Sequence, residues 1–148
     1  MPSQYFENYG VISLTAASTT ITDEGFVGSR LVFNRAAGAT AILPAATGSG
    51  NRYEFIVGTT LSGGNYVVRV ANSSDIFVGW ALFSADAGDT AVMFETAADS
   101  DTITMNGTGT GGVRGARVIV DDIAANLWAV NCISNASGTE ATPFSAAV

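Results

Sequence analysis

The chain has no histidine and no lysine, and only one of its 148 residues, Cys132, is a cysteine. Without His it lacks the commonest general base, the usual activator of a Ser or Cys nucleophile and the commonest transition-metal ligand. Without Lys there is no Schiff-base chemistry and no lysine for a phosphate-binding loop. A lone cysteine excludes an internal disulfide and any multi-cysteine metal site. Catalysis would have to rest on carboxylates, Tyr, Arg or an activated water. No run approaches the roughly 18 apolar residues of a membrane span. The start, MPSQYFENYGVISL, lacks the basic region and long apolar run of a secretory signal. Synthesis in the cytoplasm and no membrane partner are therefore expected, and the sequons at Asn72, Asn106 and Asn135 read as accidents of a Ser/Thr/Asn-rich sequence.

What charge there is has mostly one sign. Six arginines (30, 35, 52, 69, 114, 117) face thirteen carboxylates, for a net charge of −7. The arginines are scattered, whereas nucleic-acid binding needs clustered cations that displace counterions from phosphates. No nucleic-acid partner is expected; a surface contacted broadly would be neutral or basic. With 47% hydrophobic residues and 13% charged, the chain is of folded type, and its length suits one domain.

Short runs rich in Val, Ile, Thr and aromatics alternate with turn clusters, and no window of a dozen residues shows a helical period. Strands are expected near 11–15, 19–23, 29–34, 39–43, 53–58, 65–71, 75–79, 80–84, 90–96, 101–105, 115–121 and 126–133. The predicted fold is all-β: a single antiparallel β-sandwich or jelly-roll-like domain, or a small barrel, over residues 16–133. Extended arms flank it at 1–15 and 134–148. Alternation puts Tyr53, Phe55 and Val57 on one face, as it does Tyr66, Val68 and Val70, and Ile76, Val78 and Trp80. With Val92, Phe94, Val118, Val120, Trp128, Val130 and Cys132 these form the expected core, so both tryptophans are expected to be buried. SGGN (62–65) and DAGD (86–89) read as hairpin turns. No internal repeat of fixed period is present, which disfavours a solenoid or propeller.

Three patterns invite a chemical reading. The pairs Asp121–Asp122 and Asp99–Asp101 could flank a glycosidic bond, but adjacent strand residues point to opposite faces, so Asp121 and Asp122 make no natural pair. DAGD and ADSDT offer oxygens to calcium without the spacing of a calcium loop; solvated turn acids explain them better. NGTGTGGVRG (106–115) places Gly107, Gly109 and Gly112 at G-x-G-x-x-G spacing, yet a dinucleotide fingerprint must open a helix, and here a β-branched run, ARVIV, follows. The loop reads as a flexible connection between strands whose Arg114 and Arg117 face a neighbouring subunit or surface. Cys132 alternates with Trp128 and Val130 and reads as a buried hydrophobe. No catalytic residue, cofactor site or metal site is assigned.

Three stretches are familiar together: LTAASTTITDEGFVGSRLVFNRAAGATAILPAATGSGNRYEFIVGTT, then RGARVIVDDIAANLWAV after the glycine loop, then GTEATPF. In pattern these are a strand ending in Leu43-Pro44, a glycine loop, a Tyr53-x-Phe55 strand and a late strand carrying Trp128. Over roughly residues 14–144 the chain resembles the small capsid decoration (cement) proteins of tailed bacteriophages. The resemblance implies a non-enzymatic β-rich virion protein that docks on the outside of an assembled head and stabilises the lattice of the major capsid protein. It further implies self-association, a homotrimer in preference to a homodimer, and no catalytic residues. Terminal arms of such proteins reach across neighbouring capsomers. Tyr5, Phe6, Tyr9 and Ile12 in the first arm, with Arg114 and Arg117, are the expected capsid or subunit contacts. The competing expectation is a head-fibre or tail-fibre module that binds host carbohydrate; it predicts an exposed cluster of Trp or Tyr with acids.

Overall fold

The structure, a computed structural model, describes residues 10–86 and 90–148. Among the described residues twelve strands fall into two sheets. The first six are β1 (Val11–Leu14), β2 (Ser18–Thr20), β3 (Arg30–Phe33), β4 (Ala39–Ile42), β5 (Arg52–Val57) and β6 (Tyr66–Arg69). They are followed by β7 (Ile76–Ser84), β8 (Ala91–Glu95), β9 (Thr102–Met105), β10 (Arg117–Ala124), β11 (Leu127–Asn135) and β12 (Phe144–Ser145). A single irregular helical turn, α1 (Asp23–Phe26), interrupts them. The seven-stranded sheet has the order β1-β3-β5-β10-β11-β7-β8, and the five-stranded sheet the order β12-β9-β6-β4-β2.

The fold is all-β, as expected, but its sheets are mixed where antiparallel pairing was predicted. From β1 to β6 the chain changes sheet after every strand. It therefore re-enters each sheet running in its previous direction, so β1-β3-β5 and β2-β4-β6 pair in parallel. This half of the chain is a coil. No fixed period betrays it because the connections differ in length: Val11 lies beside Arg30 and Arg30 beside Glu54, while Ser18 lies beside Thr40 and Thr40 beside Val67. The SGGN segment consequently carries the chain from one sheet to the other and makes no hairpin. Antiparallel hairpins enter later, as β7-β8 and β10-β11. The β10-β11 hairpin inserts between β5 and β7, which leaves β11 parallel to β7.

Between the sheets lies one hydrophobic core. Phe33 of β3 stacks on Tyr66 of β6 at 4.8 Å between ring centroids and on Phe55 at 5.7 Å, while Tyr53 meets Trp128 at 5.9 Å. Phe55, Val57, Val68, Val118, Val120, Trp128, Val130 and Cys132 are all buried. Burial of each such side chain contributes roughly 1.5–3 kcal/mol against the entropy of ordering the chain. Phe94, also expected in the core, is only half-buried, because β8 is an edge strand; it packs on Phe83 at 5.7 Å.

Trp80 corrects the core prediction outright: it is 38% exposed. The segments 75–79 and 80–84 form one strand, β7, whose inward row is Phe77, Gly79, Ala81 and Phe83. Both rows of β7 are apolar, so alternation does not fix which one faces the core, and choosing the row with the larger side chains turns every residue the wrong way. Gly79 holds the inward row because a Cβ there would strike the carbonyl of Val130 on β11.

Described parts of both segments expected as arms lie in the sheets. Val11–Leu14, within 1–15, is β1; Tyr5, Phe6 and Tyr9 lie outside the described residues. In 134–148, β11 continues to Asn135, Phe144 is buried in β12, and the amides of Ala147 and Val148 donate to the Asp101 carboxylate at 2.8 and 3.2 Å. Phe144 and the Asp101 anchor supply the apolar and polar contacts that a free tail lacks.

Candidate functional site

Three buried carboxylates are already occupied with holding the chain. Asp122, on the inward row of β10, accepts from the amides of Thr47 (3.1 Å), Gly48 (2.7 Å) and Ser49 (3.1 Å) and from the Ser49 hydroxyl (2.7 Å). Burial alone would raise its pKa, but the Ser49 hydroxyl and those three amides outweigh burial and bring it down to about 2. Asp75 accepts from Ala46 N and Asn72 Nδ2, and Asp101 from the C-terminal amides. Asp121, on the opposite face from Asp122, pairs with Arg52 through two hydrogen bonds at 2.6 and 3.1 Å. Neither sequence pair of acids converges on a common site: Asp121 and Asp122 diverge, and Asp99 is exposed while Asp101 is buried. Among the described residues no three His, Cys, Asp or Glu side chains gather as a metal site.

The glycine loop is fully engaged as well, which corrects its reading as a flexible connection. The Asn106 side-chain carbonyl accepts from Thr108 N, Thr108 Oγ1 and Thr110 N, Gly107 N donates to Gly111 O, and Gly112 N donates to Ser134 Oγ. A phosphate cradle points free amides at its ligand; these amides are consumed within the loop or, for Gly112, by Ser134 of β11. Gly109 lies so close to Thr139 that a Cβ would strike its carbonyl. The loop is a packed joint between β9 and the C-terminal segment.

Cys132 is buried, and burial pushes its thiol up to about 12, so it is a core residue. Tyr53 is raised by burial and by the hydrogen bond it donates to Asp23 at 2.8 Å.

The outer face of the seven-stranded sheet is different. One half is charged: Glu54 on β5 lies between Arg30 on β3 and Arg117 on β10, with Arg30 Nε at 3.0 Å, and Arg52 pairs with Asp121 beside them. Arg117, an expected partner contact, pairs with Glu54 within the chain while its side chain stays half exposed. The other half, on β11, β7 and β8, is mainly apolar, with Asn131 beside Trp80 a polar exception on β11. Val78, Trp80, Met93 and Ile133 are exposed there, and the strand register sets Trp80 beside Glu95, and Leu82 between Met93 and Ile133. Val78, Gly79, Trp80, Met93, Glu95 and Thr96 line a groove of about 460 Å³ at one end. Arg114, Leu82, Ser84, Ala91 and Ile133 line another of about 310 Å³ at the other. Of this surface, sequence pointed to Arg114 alone as a contact, and it assigned Val78 and Trp80 to the core. The signal for the rest was the Gly79-Ala81 pair, small residues that belong where strand backbones approach closely. Ile12 is half-buried against the core, while its neighbour Val11 is 67% exposed on β1, the edge strand of the sheet among the described residues.

No protein-family model matches the chain, and no curated protein matches it.

Proposed function

We propose that this protein is a non-enzymatic structural component of a phage virion that binds the outer surface of the capsid and stabilises the major capsid protein lattice. In this reading the two-sheet body, a sandwich-like scaffold, is a rigid block; its partners are the major capsid protein and further copies of itself, three in preference to two. The sequence resemblance motivates the assignment. The observation that carries it is the open edge at β1, the strand that follows the aromatic N-terminal segment. Gly10 O and Leu14 O accept from Arg30 N and Asn34 N of the β3 side. By alternation the amides and carbonyls of Val11 and Ser13 face outward, where among the described residues β1 has no neighbouring strand. Such an edge accepts an extended segment, main-chain bonds giving affinity and alternate side chains specificity. Repetition over a lattice then adds avidity.

Val11→Pro removes one outward N–H and none directed at β3, so it should abolish co-sedimentation with expanded, mature-like phage heads while leaving thermal unfolding unchanged. Purified protein that ignored such heads and bound tails or host glycans would end this reading.

One observation favours a second reading, a head-fibre or tail-fibre module binding host carbohydrate: Trp80 is exposed beside Glu95. A glycan array that gives hits lost in Trp80→Ala would select it.

A further inference from the structure

The charged half of the outer face satisfies itself, whereas the apolar half ends in two charges that do not. Glu95 stands at the Trp80 end and Arg114 at the Ser84–Ala91 end. Neither takes part in an ion pair among the described residues. Between them lie Trp80, Leu82, Met93 and Ile133, with Trp80 and Ser84 about 13 Å apart at about 3.3 Å per residue. We infer that this face binds the same face of a second copy about a two-fold axis near Leu82, so that Glu95 of each copy meets Arg114 of the other.

The argument is one of complementarity. A patch with an acid at one end, a base at the other and apolar residues between matches itself when turned through a half rotation, the condition for an isologous contact. A sugar site would instead need several hydrogen-bonding groups around the ring stacked on Trp80; the groove supplies Glu95 and Thr96, among Val78 and Met93, with Asn131 in register on β11, and the Thr96 hydroxyl is already bonded to the Gly79 backbone. The large exposed side chains, Trp and Met, are those enriched in the centre of protein interfaces. Three strands at about 4.8 Å spacing and five residues along each give a footprint of roughly 15 by 15 Å. That is small for an interface, so a reversible dimer in the micromolar range or weaker is expected. The inference does not rest on the capsid reading, which uses β1 at the opposite edge of the sheet, and it departs from that reading in taking two copies where three were favoured.

Sedimentation equilibrium of the full chain across concentrations up to about 1 mM tests it. The expected result is a monomer–dimer equilibrium, weakened at least tenfold by Glu95→Arg or by Arg114→Glu and restored when both substitutions are combined. Restoration by the double exchange is something no merely structural role produces. A wild-type chain that stays monomeric throughout, a three-copy species, or single exchanges without effect would overturn the proposal, as would Trp80-dependent glycan binding by a monomer. Because Val11 lies outside this face, Val11→Pro should dimerise normally, which separates failure here from failure of capsid binding.

Discussion

Trp128 and Trp80 sit on neighbouring parallel strands, yet one is enclosed and the other lies on the surface. Trp128 packs against Tyr53 between the sheets; Trp80 lies beside Glu95 on the outer face. Their sequence contexts are nearly alike, each an aromatic within an alternating apolar run. What separates them is the residue one step away in the inward row: Trp128 is itself in that row, while Trp80 follows Gly79, which occupies it. The same side chain is thus a structural element on one strand and a binding element on the next, and backbone contact decides which.

The largest effect expected from breaking this contrast is on the inner side. Trp128→Ala leaves a cavity at the centre of the core and should cost about 3–5 kcal/mol in urea unfolding. Gly79→Ala attacks the seam directly. Its Cβ would meet the Val130 carbonyl, and the backbone there has φ 149°, which L residues avoid. Overpacking against main chain leaves little room to relax, so a loss of about 3 kcal/mol is expected, with β7 and β11 losing amide-exchange protection first. A tolerated Gly79→Ala would mean that the phase of β7 is set by its hydrophobic residues alone.

That seam also marks where the sequence stopped being legible. Strand positions were readable nearly throughout, because β-branched and aromatic runs sit between Gly, Asn, Asp and Ser turns. So was the inward row wherever the other row was polar or charged: Tyr53-Phe55-Val57 alternates with Arg52, Glu54 and Ile56, and Val118-Val120 with Arg117 and Asp121. In β7 both rows are apolar and the signal vanishes. Pairing direction was illegible for a different reason, since it depends on which sheet each connection crosses to, and no local residue encodes that. The anchoring carboxylates were hidden too. Asp122 reads like any turn acid until Thr47, Gly48 and Ser49, distant in sequence, bring their amides to it.

Asp122 gives the next smaller effect. Its carboxyl is depressed in the folded state to about 2, against an ordinary value near 3.9. Its stabilisation is therefore complete above about pH 4 and is lost as the pH falls through about 2, a contribution of roughly 2 kcal/mol. Asp122→Asn should lower stability at pH 7 by about that amount and flatten this part of the acid-unfolding curve. Denaturant midpoints at pH 7 and near pH 2 check both. A variant as acid-sensitive as the wild type would shift the effect to another carboxylate. The 47–51 loop, tied to β10 by this group, should open without global unfolding.

The smallest effect on stability is expected at Trp80, and there its smallness is informative. Trp80→Ala removes a side chain that packs on the outer face alone, so it should cost less than about 1 kcal/mol, in the range of surface substitutions. A tryptophan that loses little on truncation, while the one on the neighbouring strand loses several kcal/mol, would show that the outer face is not spent on folding. The same variant should weaken self-association at least tenfold, because the largest aromatic of a small patch carries a disproportionate share of the contact. If Trp80→Ala instead destabilised the fold as much as Trp128→Ala and left association unchanged, the two tryptophans would be equivalent after all, and the division of the sheet into a folding face and a docking face would fall.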